Sequence, residues 1–475
     1  MTSHAETTSK SDAFAVLNPF DQSTIGQYSY TSEDEALAAL DEAHRCHVAR
    51  DGWLSKSVRI AILDKLASLI EHRTDDLARC AAREGGKPLK DSVVELRRAC
   101  EGVKVAAREI AQLHGTEIAM DLNAASAHRF AHTYREPRGV VLAISAFNHP
   151  FNLIVHQVVT AVAAGCPVLV KPALSTPMSC LNLVELLYEA GLPRPWCHAL
   201  LTRHEVTEKL VTDRRTAFLT FIGSADVGWH LRSKLAPGAH CTLEHGGVAP
   251  VIVDETADID ACIPGLTRGG FYHAGQVCVS VQRIYVHRNV VEPFLEKLTA
   301  SAKRLSVGDP LDPTTDVGPL ISPREVERVD AWVREALTDG HTGRLIHGGR
   351  KLSATTYEPT VLLNPADDAR ISKEEVFGPV VSVYAYDDLD EAIARANAPD
   401  VFFQASIFTR DLDVALYAAR RLHGMAVMVN DHTAFRVDWM PFGGHRQSGL
   451  GVGGIGHAMK EMTLERMVVF HSHRL

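Results

Sequence analysis

Leu243-Glu244-His245-Gly246-Gly247, running straight into Val248-Ala249-Pro250-Val251-Ile252-Val253, is the stretch on which the reading of this chain turns. A carboxylate stands between an apolar, strand-like run and a glycine pair. A carboxylate there can sit partly desolvated, with its pKa raised towards the range of a general base. A solvated glutamate before a turn has the same local sequence, so the surroundings must decide. Outward from it, apolar runs rich in β-branched residues recur at 139–145, 167–170, 217–221, 283–286, 380–386, 402–408 and 425–429. Segments of helical period separate most of them, at 33–50, 58–82, 91–113 and 291–305. This alternation predicts an α/β fold with mostly parallel sheets. The less periodic tract 116–136 reads as a β-ribbon or an arm.

With 475 residues the chain is too long for one core and long enough for two large domains. A composition 46% hydrophobic and 23% charged is that of an ordinary soluble globular protein. Forty-nine basic and 58 acidic residues give a formal charge of −9, spread along the chain, with no footprint for nucleic acid. A small anionic ligand is compatible with that balance, because a pocket can be locally cationic. Nine cysteines without a C-x-x-C pair predict neither a disulfide framework nor a structural zinc site. The 24 histidines include no H-E-x-x-H, so no metal is expected. Residues 1–12 are polar and read as a loose tail rather than a leader. The most membrane-like stretch, 139–170, carries Asn148, His149, Pro150, Asn152, His156 and Gln157, which are costly in lipid. No membrane span is expected, and a cytoplasmic location is the default.

Several short motifs carry chemistry. Gly275-Gln276-Val277-Cys278 places a cysteine in a semi-polar, glycine-containing loop, where a thiol is better placed to react than in a helix or strand. In Ser145-Ala146-Phe147-Asn148-His149-Pro150-Phe151 a strand ends and Pro150 suits the first turn of a helix. Asn148 then lies near a helix N-terminus, as an N-cap or as an amide donor to a developing oxyanion. Lys171-Pro172-Ala173 follows a short strand, where a lysine can reach ribose hydroxyls. Phe221-Ile222-Gly223-Ser224 leads into a helix whose N–H groups can receive a phosphate. Glu374-Glu375-Val376-Phe377-Gly378-Pro379 and Pro441-Phe442-Gly443-Gly444-His445-Arg446-Gln447-Ser448-Gly449 complete the set. Gly449-Leu450-Gly451-Val452-Gly453-Gly454 satisfies G-x-G-x-x-G, but no strand precedes it, so it is discounted as a dinucleotide fingerprint.

Together and in this order, the elements resemble the aldehyde dehydrogenase superfamily. Its pattern is an Asn in a P-W-N-F-P-like loop, then K-P, F-x-G-S, E-L-G-G, G-Q-x-C, E-x-F-G-P and P-F-G-G-x-K-x-S-G. The resemblance runs from about Asn18-Pro19-Phe20 to the end of the chain. It implies that Cys278 is the nucleophile, that Glu244 activates water, and that Asn148 with the Cys278 backbone N–H forms the oxyanion hole. It further implies NAD, with NADP not excluded, held by Lys171 at the adenosine ribose and by Gly223 and Ser224 at the pyrophosphate. Glu375 is then assigned to the nicotinamide ribose, with Phe147 and Phe377 beside the ring. The implied fold is a Rossmann-like cofactor domain, an α/β catalytic domain, and a β-arm that builds a homodimer or homotetramer. The expected division is a tail over 1–12, an NAD(P)-binding domain over 13–122 and 143–247, a catalytic domain over 248–430, and an oligomerisation arm over 123–142 and 455–475.

Departures from the pattern bear on specificity. Phe147 replaces the usual Trp beside the catalytic Asn, and His445-Arg446 replaces x-Lys. Leu174 stands where NAD-preferring members often place a glutamate on the ribose 2′-hydroxyl, so nothing at that position repels NADP. The runner-up activity is CoA-acylating oxidation, but such relatives typically lack the glutamate that Glu244 supplies. A non-catalytic homologue is the reading from another class, and the presence of Cys278, Glu244 and Asn148 argues against it. By resemblance, Arg98 (with its neighbour Arg97 as the alternative), His156 and Arg436 fall at positions of the substrate tunnel, with Phe442 beside them. Asp438 and Glu95 are carboxylates able to pair with these cations. Three cations converging on one tunnel predict a small anionic aldehyde, a phosphonoaldehyde first, with succinate semialdehyde or a sulfo-aldehyde as alternatives. The segment 430–444 resembles the phosphonoacetaldehyde dehydrogenase branch.

Overall fold

The structure is a computed structural model that describes residues 12–338 and 343–474. The tail expected over 1–12 therefore lies, apart from Asp12, outside the described residues.

Two parallel sheets dominate. The first has six strands in the order Gly449–Leu450, His240–Glu244, Thr216–Ile222, Val140–Ile144, Val168–Lys171 and Cys197–Ala199. All its pairings are parallel except that of Gly449–Leu450 with His240–Glu244. The second has seven strands in the order Arg344–His347, Thr360–Leu363, Val380–Tyr386, Arg283–His287, Pro250–Val253, Gln404–Phe408 and Ala426–Val429. Only its first pairing is antiparallel. The central strands of both sheets are buried along their length, which is why they read as continuous apolar runs rather than alternating ones. A third, antiparallel sheet joins Thr463–His471, Arg129–Pro137 and Glu117–Ile118.

The helices obey local rules where the sequence supplies them. Glu33–Val48 starts at a capping box in which the Ser32 side chain accepts from Glu35 N and the Glu35 carboxylate accepts from Ser32 N. The single helical segment expected over 58–82 is two helices, Lys56–His72 and Thr74–Gly85. Thr74 Oγ1 donates to the carbonyls of Ile70 and Glu71, so a side chain takes over bonds that would have continued the helix. Asp75 and Asp76 then face the new helix N-terminus.

The expected domain edges need correction. Residues 140–142, expected in the arm, belong to the strand Val140–Ile144 at the middle of the six-stranded sheet. Ile455–Glu461, also expected in the arm, is a helix whose Ile455 and Met459 join the main core beside the six-stranded sheet. The arm strand itself begins at Thr463. Glu117–Ile118, expected in the cofactor domain, pairs instead with the arm. The run expected over 402–408 is divided. Val401–Phe402 pairs with His445–Arg446, and Gln404–Phe408 enters the large sheet. Among the described residues no helix is long and apolar enough to cross a membrane.

Candidate active site

The loop that carries Cys278 leaves the helix Ile259–Phe271 through three successive left-handed residues, His273, Ala274 and Gly275. At Gly275 a Cβ would stand 2.0 Å from the Gly378 carbonyl oxygen, so only glycine fits. Gln276 then pins the loop. Its Nε2 donates to the carbonyls of His273 and Pro319, and its Oε1 accepts from Ile321 N at 2.9 Å. Asn148 Nδ2 donates to the Gln276 carbonyl at 3.0 Å, which ties the oxyanion candidate to the nucleophile loop. An amide has two N–H groups, so one remains for a reacting oxygen.

Cys278, Glu244, Glu375 and Arg436 form one electrostatic neighbourhood. Burial, then the Glu375 and Glu244 carboxylates, push the Cys278 thiol up to about 12, while Arg436 and the cysteine's own N–H oppose them. Burial also raises Glu244, again opposed by Arg436. Glu244 ends the strand His240–Glu244, and its carbonyl accepts from Gly223 N at 3.0 Å. Its carboxylate lies against Gly453, where a Cβ would meet Oε1 at 2.2 Å. The discounted glycine run therefore packs, through Gly453, against the Glu244 carboxylate. Burial pushes Glu375 to about 7, although it accepts a 3.3 Å hydrogen bond from Gly247 N.

The candidate cofactor residues lie at the C-terminal ends of parallel strands, where open α/β sheets take ligands. Lys171 ends Val168–Lys171, and Gly223 follows Thr216–Ile222. Ser224 is the N-cap of Ala225–Lys234, with its side chain uncommitted to the cap. Phe147 and Phe377 meet edge to face at 5.8 Å. Leu174 is partly buried in the turn after Lys171. The Lys171 ammonium is buried with no hydrogen-bond or ionic partner among the described residues, and burial lowers it to about 8. An ammonium without a partner and a helix N-terminus without a side-chain cap, both at C-terminal strand ends of one sheet, fit a polyhydroxylated, phosphorylated cofactor.

The helix expected to open at Pro150 instead begins at Asn152 and contains a π-helical stretch, Val155–Val159. Its first N–H groups, those of Phe151 and Asn152, are capped by the buried Glu95, which also pairs with Lys87. Asn152 and His156 both face Asp438, which accepts from Asn152 Nδ2 at 3.1 Å and His156 Nε2 at 2.7 Å. Arg98 completes the cluster with bonds of 3.1 and 2.7 Å from Nε and Nη2. The three basic residues expected at the tunnel do converge, and two of them, Arg98 and His156, are engaged by Asp438, one of the carboxylates able to pair with them. Arg436 makes no ion pair among the described residues. It lies 3.5 Å from the Phe442 ring centroid, and its Nη2 approaches His156 Nδ1 at 3.4 Å. Its Nε is buried without a hydrogen-bond partner. The roles of Gln276 and Glu95 left no signal in local sequence, because their partners are far along the chain.

Residues 6–468 match the profile of the Aldehyde dehydrogenase family. The 3-sulfolactaldehyde dehydrogenase of Priestia aryabhattai is 39% identical over 457 residues, covering 96% of this chain and 94% of that protein. Among solved structures, aldehyde dehydrogenase 21 from Physcomitrella patens, in complex with the reaction product succinate, superposes with a TM-score of 0.93 at 34% identity, covering 97% of this chain and 95% of that one. Glyceraldehyde-3-phosphate dehydrogenase from Methanocaldococcus jannaschii, complexed with NADP, gives 0.91 at 34% identity, covering 96% and 99%.

Proposed function

The chain belongs to the aldehyde dehydrogenase family and is an NAD(P)-dependent enzyme that oxidises small aldehydes; we propose that its substrate carries an anionic group beyond the aldehyde. The observation that carries this reading is the Arg436 guanidinium, held over Phe442 without an ion pair beside the electrostatic neighbourhood of Cys278 and Glu244. A desolvated cation without a counter-ion is costly, and an anionic substrate supplies one. The 39%-identical sulfolactaldehyde enzyme and the succinate-bound structural neighbour support it, since sulfolactaldehyde and succinate are both anions. A phosphonoaldehyde is the choice of the sequence reading, with succinate semialdehyde and sulfo-aldehydes as alternatives.

In the reaction we assign, the Cys278 thiol loses its proton to solvent and the thiolate Sγ attacks the aldehyde carbon. The oxyanion is held by the second amide proton of Asn148 and by the Cys278 N–H. When bound, the nicotinamide supplies the hydride acceptor that turns the adduct into a thioester. Glu375, Phe147 and Phe377 hold that end of the cofactor, and Lys171, Gly223 and Ser224 the other. Glu244 then takes a proton from water, whose oxygen attacks the thioester carbon and releases the Cys278 thiolate.

For assembly, we propose a homodimer or homotetramer built through the three-stranded arm, whose Phe130, Met467, Val469 and Phe470 are exposed. A cytoplasmic location accompanies this reading. The test is the appearance of reduced cofactor with anionic and neutral aldehydes of equal length. A preference for the anions of about tenfold or more is expected, and equal rates overturn the proposal.

A further inference from the structure

Asp438 is a point where four hydrogen bonds meet, and every donor belongs to a group facing the proposed tunnel. Burial opposes its ionisation, but the His156 hydrogen bond and the charges of Arg98 and Arg436 hold its carboxyl well below the usual range. An ionised carboxylate only accepts, so His156 Nε2 must carry the proton and Nδ1 must be a lone pair. That lone pair faces Arg436 Nη2. His156 is itself held below its ordinary value by burial and by Arg436, so it is neutral near pH 7.

The charges around the tunnel can then be counted. Arg98 and Arg436 contribute two positive charges and Asp438 one negative. Behind the helix start, Lys87 and Glu95 cancel, and Arg268 and Asp91 pair at 3.3 Å. His149 is held neutral by burial, and the Tyr272 phenol is raised by the same cause. Any ionised Glu244 beside Arg436 lowers the positive total further. Arg98 keeps Nη1 free of hydrogen bonds among the described residues, so both guanidiniums retain a donor for a ligand.

We propose that Asp438 sets the charge of the substrate tunnel, cancelling one of its two guanidinium charges. The site is thereby matched to an aldehyde with one negative charge, of the sulfonate or carboxylate class, rather than to the two of a phosphonate. Asp438 acts as a positioning residue, since it reaches the substrate only through Arg98 and, by way of His156, through Arg436. The inference rests on the anionic-substrate reading above and narrows it.

Sulfoacetaldehyde and phosphonoacetaldehyde share a skeleton and differ by one charge at pH 8, and propanal serves as the neutral control. The wild-type enzyme is expected to favour sulfoacetaldehyde over phosphonoacetaldehyde by about tenfold in kcat/KM at pH 8. The gap should close towards pH 6 as the phosphonate dianion takes up one proton and becomes a monoanion, a step that for a phosphate monoester falls at about 6. Asp438→Asn should move the ratio towards the dianion by about tenfold, and Asp438→Glu should restore it. A wild-type preference for the dianion at pH 8, or an unchanged ratio in a folded Asp438→Asn, overturns the inference. Where that variant does not fold, the wild-type pH series decides alone, and a flat ratio overturns it. Failure of the anionic reading itself looks different, because propanal then matches both anions. Failure of the Asp438 inference alone leaves propanal far behind.

Discussion

The guanidinium of Arg436 stacks on the ring of Phe442, 3.5 Å from its centroid, and Phe442 belongs to the apolar cluster that packs against Cys278. The stack fixes a cation beside the nucleophile without neutralising it. Arg436→Ala should therefore cost about 2–5 kcal/mol of transition-state binding for an anionic aldehyde and much less for a neutral one. Because Arg436 opposes the raised values of Glu244 and Cys278, its removal should also move the acid limb of the pH–rate profile to higher pH. Equal losses for both aldehydes would show that the residue does not meet the anion.

Cys278→Ala should abolish aldehyde oxidation, because no other thiol lies in this loop. Glu244→Gln should give a stoichiometric burst of reduced cofactor and then slow turnover, since the thioester forms but water is not activated. Rapid-mixing absorbance separates the two. Full steady-state activity in either variant would overturn the assigned roles.

Lys171 couples function to a stability cost. Its amine titrates near about 8 in the folded chain against an ordinary 10.5. Between those values the unfolded chain binds the extra proton, so stability rises with pH across that window and the burden is full below it. Lys171→Met should stabilise the cofactor-free enzyme at pH 7 by up to about 3 kcal/mol, with little gain near pH 10.5. Cofactor binding should weaken in the same variant. Melting curves at two pH values and a cofactor titration check both halves. A destabilised variant at pH 7 would contradict the reading.

Leu174 offers no carboxylate to the adenosine ribose and none to repel a 2′-phosphate. The wild-type enzyme should use both NAD and NADP. Leu174→Glu should raise the NAD over NADP ratio of kcat/KM by about tenfold, mainly through lost NADP use. Complete rejection of NADP by the wild type would contradict this.

Gly275→Ala should disrupt the nucleophile loop outright. The position has φ of +70°, and the added Cβ would stand 2.0 Å from a backbone oxygen that cannot swing away. Loss of activity with a lowered melting temperature is expected, and a variant of wild-type activity would show that the loop is not held this way.

Much of the architecture could be read along the chain, because it depends on short-range period and packing. The run at 380–386 is the strand Val380–Tyr386, and buried parallel strands announce themselves as apolar blocks. His240–Glu244 is legible only as a strand-like run ending at Glu244 and not as a full apolar block, because its start is exposed and it is short. The break at Arg73 was hidden by a helical period that continues through it, while the Thr74 hydroxyl interrupts the backbone ladder.

Residue order along the chain is enough to identify the family and to offer Cys278 and Glu244 as nucleophile and base, since each sits in a motif whose residues are neighbours in the chain. It also offers three basic residues for the proposed tunnel. Only the tertiary structure decided which of those charges stays uncompensated. Asp438 meets Arg98 across 340 residues and His156 across 282. Charge pairing depends on separation in space and on burial, which spacing along a chain does not encode. The fold brings one carboxylate to Arg98 and His156 and leaves Arg436 over Phe442 with no ion pair among the described residues, the arrangement on which the anionic-substrate proposal rests.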